Sequence, residues 1–291
     1  MEYLSDDVMT RRDGTIPRDE FTLAYTLVTP HTSSAVLLIV HGINDHKGRY
    51  ALLQDDLAEA GYTSFALDLQ GFGLSEGKRT DVARYQDYHD DIAAMLDLIH
   101  KECPNEAVFL LGHSLGGLIS ATFCIDHPGS VDALVLSSPA FEVRPLPFYL
   151  EMLATLFYFL MPTASVSYPA LHSKRSHDPS IANAVAKDPL IVEKATPRFY
   201  QQFKKMKDYC QQYVDHIDLP TLIMQAGDDV TVCPEGARAV YERLENPKKK
   251  LIWYEGYYHE VFHEMARTKV VVDLIHWLDE ISAEQRESPS Q

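Results

Sequence analysis

Ala107-Val108-Phe109-Leu110-Leu111-Gly112-His113-Ser114-Leu115-Gly116-Gly117-Leu118-Ile119-Ser120-Ala121 is the stretch that decides the fold. Ala107 to Leu111 is an unbroken apolar run of the kind that forms a buried strand. Leu115 to Ala121 is a series of small and apolar residues that can pack closely on a sheet as a helix. Between them, Gly112 and Gly116 bracket Ser114 in a GxSxG pattern, with glycine where a side chain would clash in a sharp strand-to-helix turn. The same pattern occurs again at Gly73-Leu74-Ser75-Glu76-Gly77. Ser75, however, sits in a polar loop, Gly71 to Thr80, with no helix starting behind it. Context therefore selects Ser114 as a nucleophile over a mere helix-capping serine.

Working outward, β-branched and apolar runs recur at Ala35 to Val40, Tyr62 to Leu67, Val131 to Leu136, Thr221 to Gln225 and Lys250 to Tyr254. Helical spacing recurs between them at Tyr50 to Ala60, Ala83 to Lys101, Leu115 to Asp126, Glu235 to Leu244 and Glu264 to Ile281. This alternation predicts an α/β fold, a mostly parallel sheet flanked by helices. Phe21 to Val28 reads as an antiparallel edge strand. About eighty residues between Ser138 and Thr221 break the rhythm. They hold Pro145, Pro147, Pro162, Pro169, Pro179, Pro189 and Pro197, which predicts short helices, and Phe148 to Leu160 is greasy nearly all round. A buried core helix would be the plain reading, but an insertion after the strand that follows Ser114 suggests a cap over the active site.

A serine hydroxyl attacks well only when a histidine takes its proton, an acid orients that histidine, and donors hold the oxyanion. His259 follows the last strand in Glu255-Gly256-Tyr257-Tyr258-His259-Glu260, where a base belongs, and among 13 histidines it is position that singles it out. His263 is the rival, one turn on. The loop after Thr221 to Gln225 presents Asp228-Asp229, giving the chain order Ser, Asp, His; Asp229 is the expected acid and Asp228 the alternative. The oxyanion donors are expected to be the backbone N–H groups of Leu115 and Ile43, with Gly42 letting the chain turn close to the substrate carbonyl. His41 is expected to brace that loop by hydrogen bonding.

A formal net charge of −16 argues against an electrostatic grip on nucleic acid or simple attraction to an anionic membrane, so any lipid contact would have to be apolar. Met1 to Gly14 lacks an apolar core and carries acids where an export signal would be basic, so a cytoplasmic protein is expected. Cys103, Cys124, Cys210 and Cys233 have no metal or disulfide spacing and read as free thiols. The run Phe148 to Met161 falls short of the roughly 20 residues of a spanning helix. Ser282 to Gln291 reads as a polar, frayed end.

Together the residues resemble the monoacylglycerol lipase and lysophospholipase group of α/β-hydrolases over roughly Ala35 to Leu278. His41-Gly42 with His46-Lys47-Gly48-Arg49-Tyr50 resembles that group's HGxxxHxGRY loop, and Asp68 to Gly77 its DxxGxGxSxG loop, which accounts for the decoy serine. Gly112-His113-Ser114-Leu115-Gly116-Gly117, the Asp229 loop and Glu255 to His259 complete it. Phe72, Leu74 and Asn44-Asp45 depart from the group's usual residues. The resemblance implies an α/β-hydrolase core of residues 1–141 and 204–291 and a helical cap, 142–203, that guides an acyl chain to the serine. Asp178-Pro179 and Lys187-Asp188-Pro189-Leu190 echo its cap motifs.

The expected activity is hydrolysis of a carboxylic ester, most simply a monoacylglycerol or lysophospholipid-type monoacyl lipid, through an acyl-enzyme on Ser114. No metal or organic cofactor is expected, since nucleophile, base and donors are all protein groups. The apolar face of the cap could rest peripherally on a membrane or on a second subunit. Two rival readings are an aminopeptidase on the same fold and a non-catalytic binding protein on a hydrolase scaffold.

Overall fold

The computed structural model describes residues 9–168 and 174–287. Met1 to Val8, Pro169 and the end of the polar tail, Ser288 to Gln291, lie outside the described residues. The first half of the chain runs β1 (Met9–Arg18), β2 (Phe21–Pro30), β3 (Val36–Val40), α1 (Ala51–Glu59), β4 (Thr63–Leu67), α2 (Gln86–Glu102), β5 (Val108–His113), α3 (Leu115–Asp126) and β6 (Ala133–Ser137). There follow α4 (Phe148–Leu160), β7 (Val166–Ser167), α5 (Pro179–Lys187), β8 (Lys194–Ala195) and α6 (Pro197–Tyr213). The chain then completes the sheet with β9 (Thr221–Ala226), α7 (Pro234–Arg243), β10 (Lys250–Tyr254) and α8 (Arg267–Glu287).

The eight-stranded sheet has the order β1-β2-β4-β3-β5-β6-β9-β10. Its first two pairings, β1 with β2 and β2 with β4, are antiparallel, and every later one is parallel. Side chains alternate between its faces with the period of two that a strand imposes. Val36, Leu38 and Val40 of β3 and Val108 and Leu110 of β5 join Ile92 of α2, Leu118 of α3, Met206 of α6 and Val240 of α7 on one side. Leu37, Ile39, Phe109 and Leu111 meet Leu53 and Leu57 of α1 and Val270, Leu274 and Trp277 of α8 on the other. Covering both faces is what lets the central strands be apolar throughout.

Three expectations need correction. Phe21 to Val28 is not the edge, because β1 pairs with β2 along ten residues, from Met9 opposite Pro30 to Arg18 opposite Phe21. β1 is polar and carries Pro17, a pattern that only an edge strand tolerates, and Gly14 makes room for the Tyr25 ring lying across it. The insertion's prolines do not keep its helices short: α6 is 17 residues long with Pro197 in its first turn. The absent N–H costs nothing there, and the Thr196 side chain caps the helix by accepting from Phe199 N. Ser282 to Glu287 does not fray into a tail but extends α8, with Ser282 buried.

Between β6 and β9, α4 buries none of its residues. Phe148, Phe159 and Leu160 are 78%, 75% and 68% exposed. α4 is tied to α6 by Glu151, which accepts from Tyr200 Oη at 2.6 Å and pairs with Lys204 Nζ at 2.9 Å. Among the described residues no helix is long and apolar enough to cross a membrane.

Candidate active site

Ser114 joins β5 to α3 with φ +53° and ψ −115°, a conformation that L-residues avoid at a cost of about 1–3 kcal/mol. Its surroundings over-determine it. Ser114 N donates to Ser137 O at 2.9 Å, and Ser114 O accepts from Leu118 N at 3.1 Å and Ala140 N at 2.9 Å. Gly112 and Gly116 are required by close approach, since a Cβ on Gly112 would strike the Gly116 carbonyl and one on Gly116 the carbonyls of Val40 and His41.

β5, β9 and β10 run parallel and so end on the same side of the sheet, and the loops that follow β9 and β10 are stitched together. Gly227 N donates to Tyr254 O at 2.8 Å and Asp228 N to Tyr257 O at 3.0 Å. Asp228 is exposed and Asp229 buried. Asp229 Oδ1 accepts from Thr231 N at 2.8 Å and Val232 N at 3.0 Å, which turns Oδ2 toward His259 Nδ1, 2.6 Å away. His259 Nε2 lies 2.9 Å from Ser114 Oγ. The carboxylate can only accept, so Nδ1 carries the proton and Nε2 is left to accept from the serine hydroxyl. The structure thus brings Ser114, His259 and Asp229 into one chain of hydrogen bonds and leaves Asp228 out of it.

The His41-Gly42-Ile43 loop lies directly against the serine, since a Cβ on Gly42 would stand 3.0 Å from Ser114 Cβ. Leu115 opens α3, where a backbone N–H has no partner within the helix. His41 is fully buried; its Nδ1–H donates to Gly42 O at 2.7 Å and its Nε2 accepts from Leu69 N at 3.2 Å, so it ties the loop to the chain beyond β4. Phe72 packs edge-on against it, with ring centroids 5.2 Å apart. The rival residues are structural. Ser75 Oγ donates to Asp68 O at 2.5 Å and accepts from Ala24 N at 2.8 Å. His263 donates from Nε2 to Arg49 O at 2.9 Å, and burial together with the Arg49 charge lowers its pKa.

His113 packs behind His259 with ring centroids 4.8 Å apart, and its Nδ1–H donates to Ser137 O at 3.1 Å. Burial, and then the neighbouring His259, push its pKa down to about 3, so it stays neutral beside His259.

Sequence reasoning missed two charged residues here, Glu260 and Arg175. Glu260 is buried, and burial alone would raise its carboxyl; Arg175 and Arg49 outweigh that and hold it well below the usual carboxylate range. Arg49 bridges Asp45 Oδ1 at 2.9 Å and both oxygens of Glu260, at 3.0 and 2.5 Å. An acid directly after His259, followed by the apolar pair Val261-Phe262, was a visible signal for Glu260. Arg175 offered none, because its partners are distant in the chain.

Residues 31–266 match the family described as serine aminopeptidase, S33. Over 239 residues the chain is 30% identical to the monoglyceride lipase of Rattus norvegicus, covering 80% of this chain and 78% of that protein. It is 28% identical over 262 residues to the monoacylglycerol lipase of Mycolicibacterium smegmatis, covering 88% of this chain and 92% of that one. The crystal structure of the Paleococcus ferrophilus monoacylglycerol lipase is similar with a TM-score of 0.79 at 25% identity, covering 94% of this chain and 99% of that one.

Proposed function

We propose that this chain, which belongs to the serine aminopeptidase S33 family of α/β-hydrolases, is an ester hydrolase that cleaves monoacyl lipids of the monoacylglycerol or lysophospholipid type. The observation that carries the reading is the placement of His259 between Asp229 at 2.6 Å and Ser114 Oγ at 2.9 Å. His259 Nε2 takes the hydroxyl proton as Ser114 Oγ attacks the acyl carbonyl carbon. The N–H groups of Ile43 and Leu115 hold the oxyanion, and Asp229 stabilises the imidazolium. The intermediate collapses as His259 returns the proton to the departing alkoxide, leaving the acyl group on Ser114. A water molecule, deprotonated by His259, then attacks the acyl carbonyl and releases the acid.

Residues 142–203 serve as the cap. The names of the lipase relatives support a monoacyl lipid substrate, and the exposed apolar helix α4 supports its being met at a bilayer surface. The family's aminopeptidase description supports a second reading, cleavage of an amide next to a free α-amine.

Purified protein should be offered monoacylglycerols of graded chain length, a lysophospholipid, p-nitrophenyl esters and aminoacyl amides, with Ser114→Ala as control. Ester turnover is expected, reduced in the control by roughly 10⁴-fold or more. Turnover of the amides alone would sink the lipase reading in favour of the peptidase. A protein that neither turns over any substrate nor reacts with a fluorophosphonate probe would be a binder on a hydrolase scaffold.

A further inference from the structure

We propose that Arg175 is a positioning residue through which the insertion sets the geometry of the two loops that flank Ser114; this rests on the serine-hydrolase reading above. Its guanidinium is only 10% exposed and spans both loops. Nε donates to Glu260 Oε1, beside His259, while Nη1 and Nη2 reach the Asn44 carbonyl, beside Ile43, at 3.3 and 3.2 Å. Glu260 N donates back to Arg175 O at 2.8 Å, so the base loop and the insertion hold each other by main chain as well as side chain.

Asn44 needs holding. Its φ of +53° lies in the left-handed region, and its peptide adjoins the expected oxyanion donor. The insertion grips it twice, by Tyr168 Oη donating to Asn44 Oδ1 at 2.7 Å and by Arg175 on its carbonyl. Through these contacts one segment of the insertion fixes the oxyanion loop and the base loop relative to each other. Nε meets the carboxylate while Nη1 and Nη2 meet the carbonyl, a span across one rigid fork that the single nitrogen of a lysine ammonium does not have, so lysine would keep the charge and lose the geometry. The charge matters too: Arg175 and Arg49 balance Glu260 and Asp45, and removing one cation leaves a buried anion short of a partner.

A residue that merely shaped the acyl pocket would affect long esters and spare short ones, whereas a residue that positions the catalytic loops acts on both alike. The full chain and its Arg175→Gln, Arg175→Lys and Tyr168→Phe variants should be assayed on p-nitrophenyl acetate and p-nitrophenyl decanoate, with thermal unfolding followed in parallel. For Arg175→Gln, kcat should fall by about 10- to 100-fold on both esters, with KM changed by less than about threefold. Arg175→Lys should fold yet stay at least about tenfold down on both. Tyr168→Phe should lose roughly three- to tenfold, again on both. Should Arg175→Gln fail to fold, the other two variants carry the test. Wild-type kcat in the lysine variant, or losses confined to the decanoate, would overturn the proposal. If the unmodified protein hydrolyses neither ester and takes up no fluorophosphonate, it is the serine-hydrolase reading that fails, and the assignment to Arg175 falls with it.

Discussion

Asp91 has no exposed surface. Its Oδ2 accepts from Gln70 N at 2.9 Å and its Oδ1 lies 3.2 Å from Arg18 Nε. Burial dominates these partners and raises the carboxyl from 3.8 to about 7. A carboxyl whose folded pKa is raised stabilises the fold fully below its unfolded value, and the stability drains away as pH rises through 7. Asp91→Asn keeps an acceptor for Gln70 and removes the titration. It should raise Tm by about 3–8 °C at pH 8 and leave it unchanged near pH 4; an equal shift at both pH values would refute this account. His113 works in the opposite sense, because its folded pKa is depressed from 6.5 to about 3. Its contribution is present above pH 6.5 and lost as pH falls toward 3. Single residues also mark how far sequence could see. Ser114, Asp229 and His259 were legible because each follows an apolar run that announces a strand end. Arg175 was not, because its meaning lies in Glu260, 85 residues on, and Asn44, 131 residues back.

At the level of elements, what was legible followed burial. β3, β5 and β6 are covered on both faces and their sequences are apolar up to His113 and Ser137 at their ends, whereas β1 stands at the edge and its side chains mostly face water. An edge strand has no hydrophobic alternation to declare it, and its partner alone makes it a strand. α6 was hidden for a different reason, a proline that starts a helix looking like one that ends it. α4 was visible as a greasy helix, yet only the structure shows that no residue of it is buried. Phe159→Ser with Leu160→Ser should therefore leave p-nitrophenyl acetate hydrolysis intact. Partitioning onto zwitterionic phospholipid vesicles should weaken about tenfold or more, from roughly 1.5 kcal/mol or more for each apolar side chain withdrawn. Unchanged vesicle binding would reject the bilayer as the occupant of this face. A dimer dissolved by the same pair would assign the face to a second copy.

Across the whole molecule, the parallel alternation was readable because each strand-and-helix unit is local, while the order β1-β2-β4-β3-β5-β6-β9-β10 was not, since pairing partners are chosen over long stretches of chain. If the substrate is the proposed monoacyl lipid, a net charge of −16 would leave apolar contact as the means of approach to an anionic bilayer. The same global architecture holds Ser114 in its unfavourable backbone conformation, with Ser137 of β6, Leu118 of α3 and Ala140 beyond β6 all hydrogen-bonded to its main chain. Glycine would be at ease at that φ of +53°, so Ser114→Gly should unfold a few degrees above the native protein by scanning calorimetry, a relief of about 1 kcal/mol or more set against glycine's looser unfolded chain. Equal or lower Tm would show that the turn is not strained. If it is, heat alone is a poor guide to improvement: variants selected only for survival at high temperature would drift toward proteins that endure longer and hydrolyse nothing.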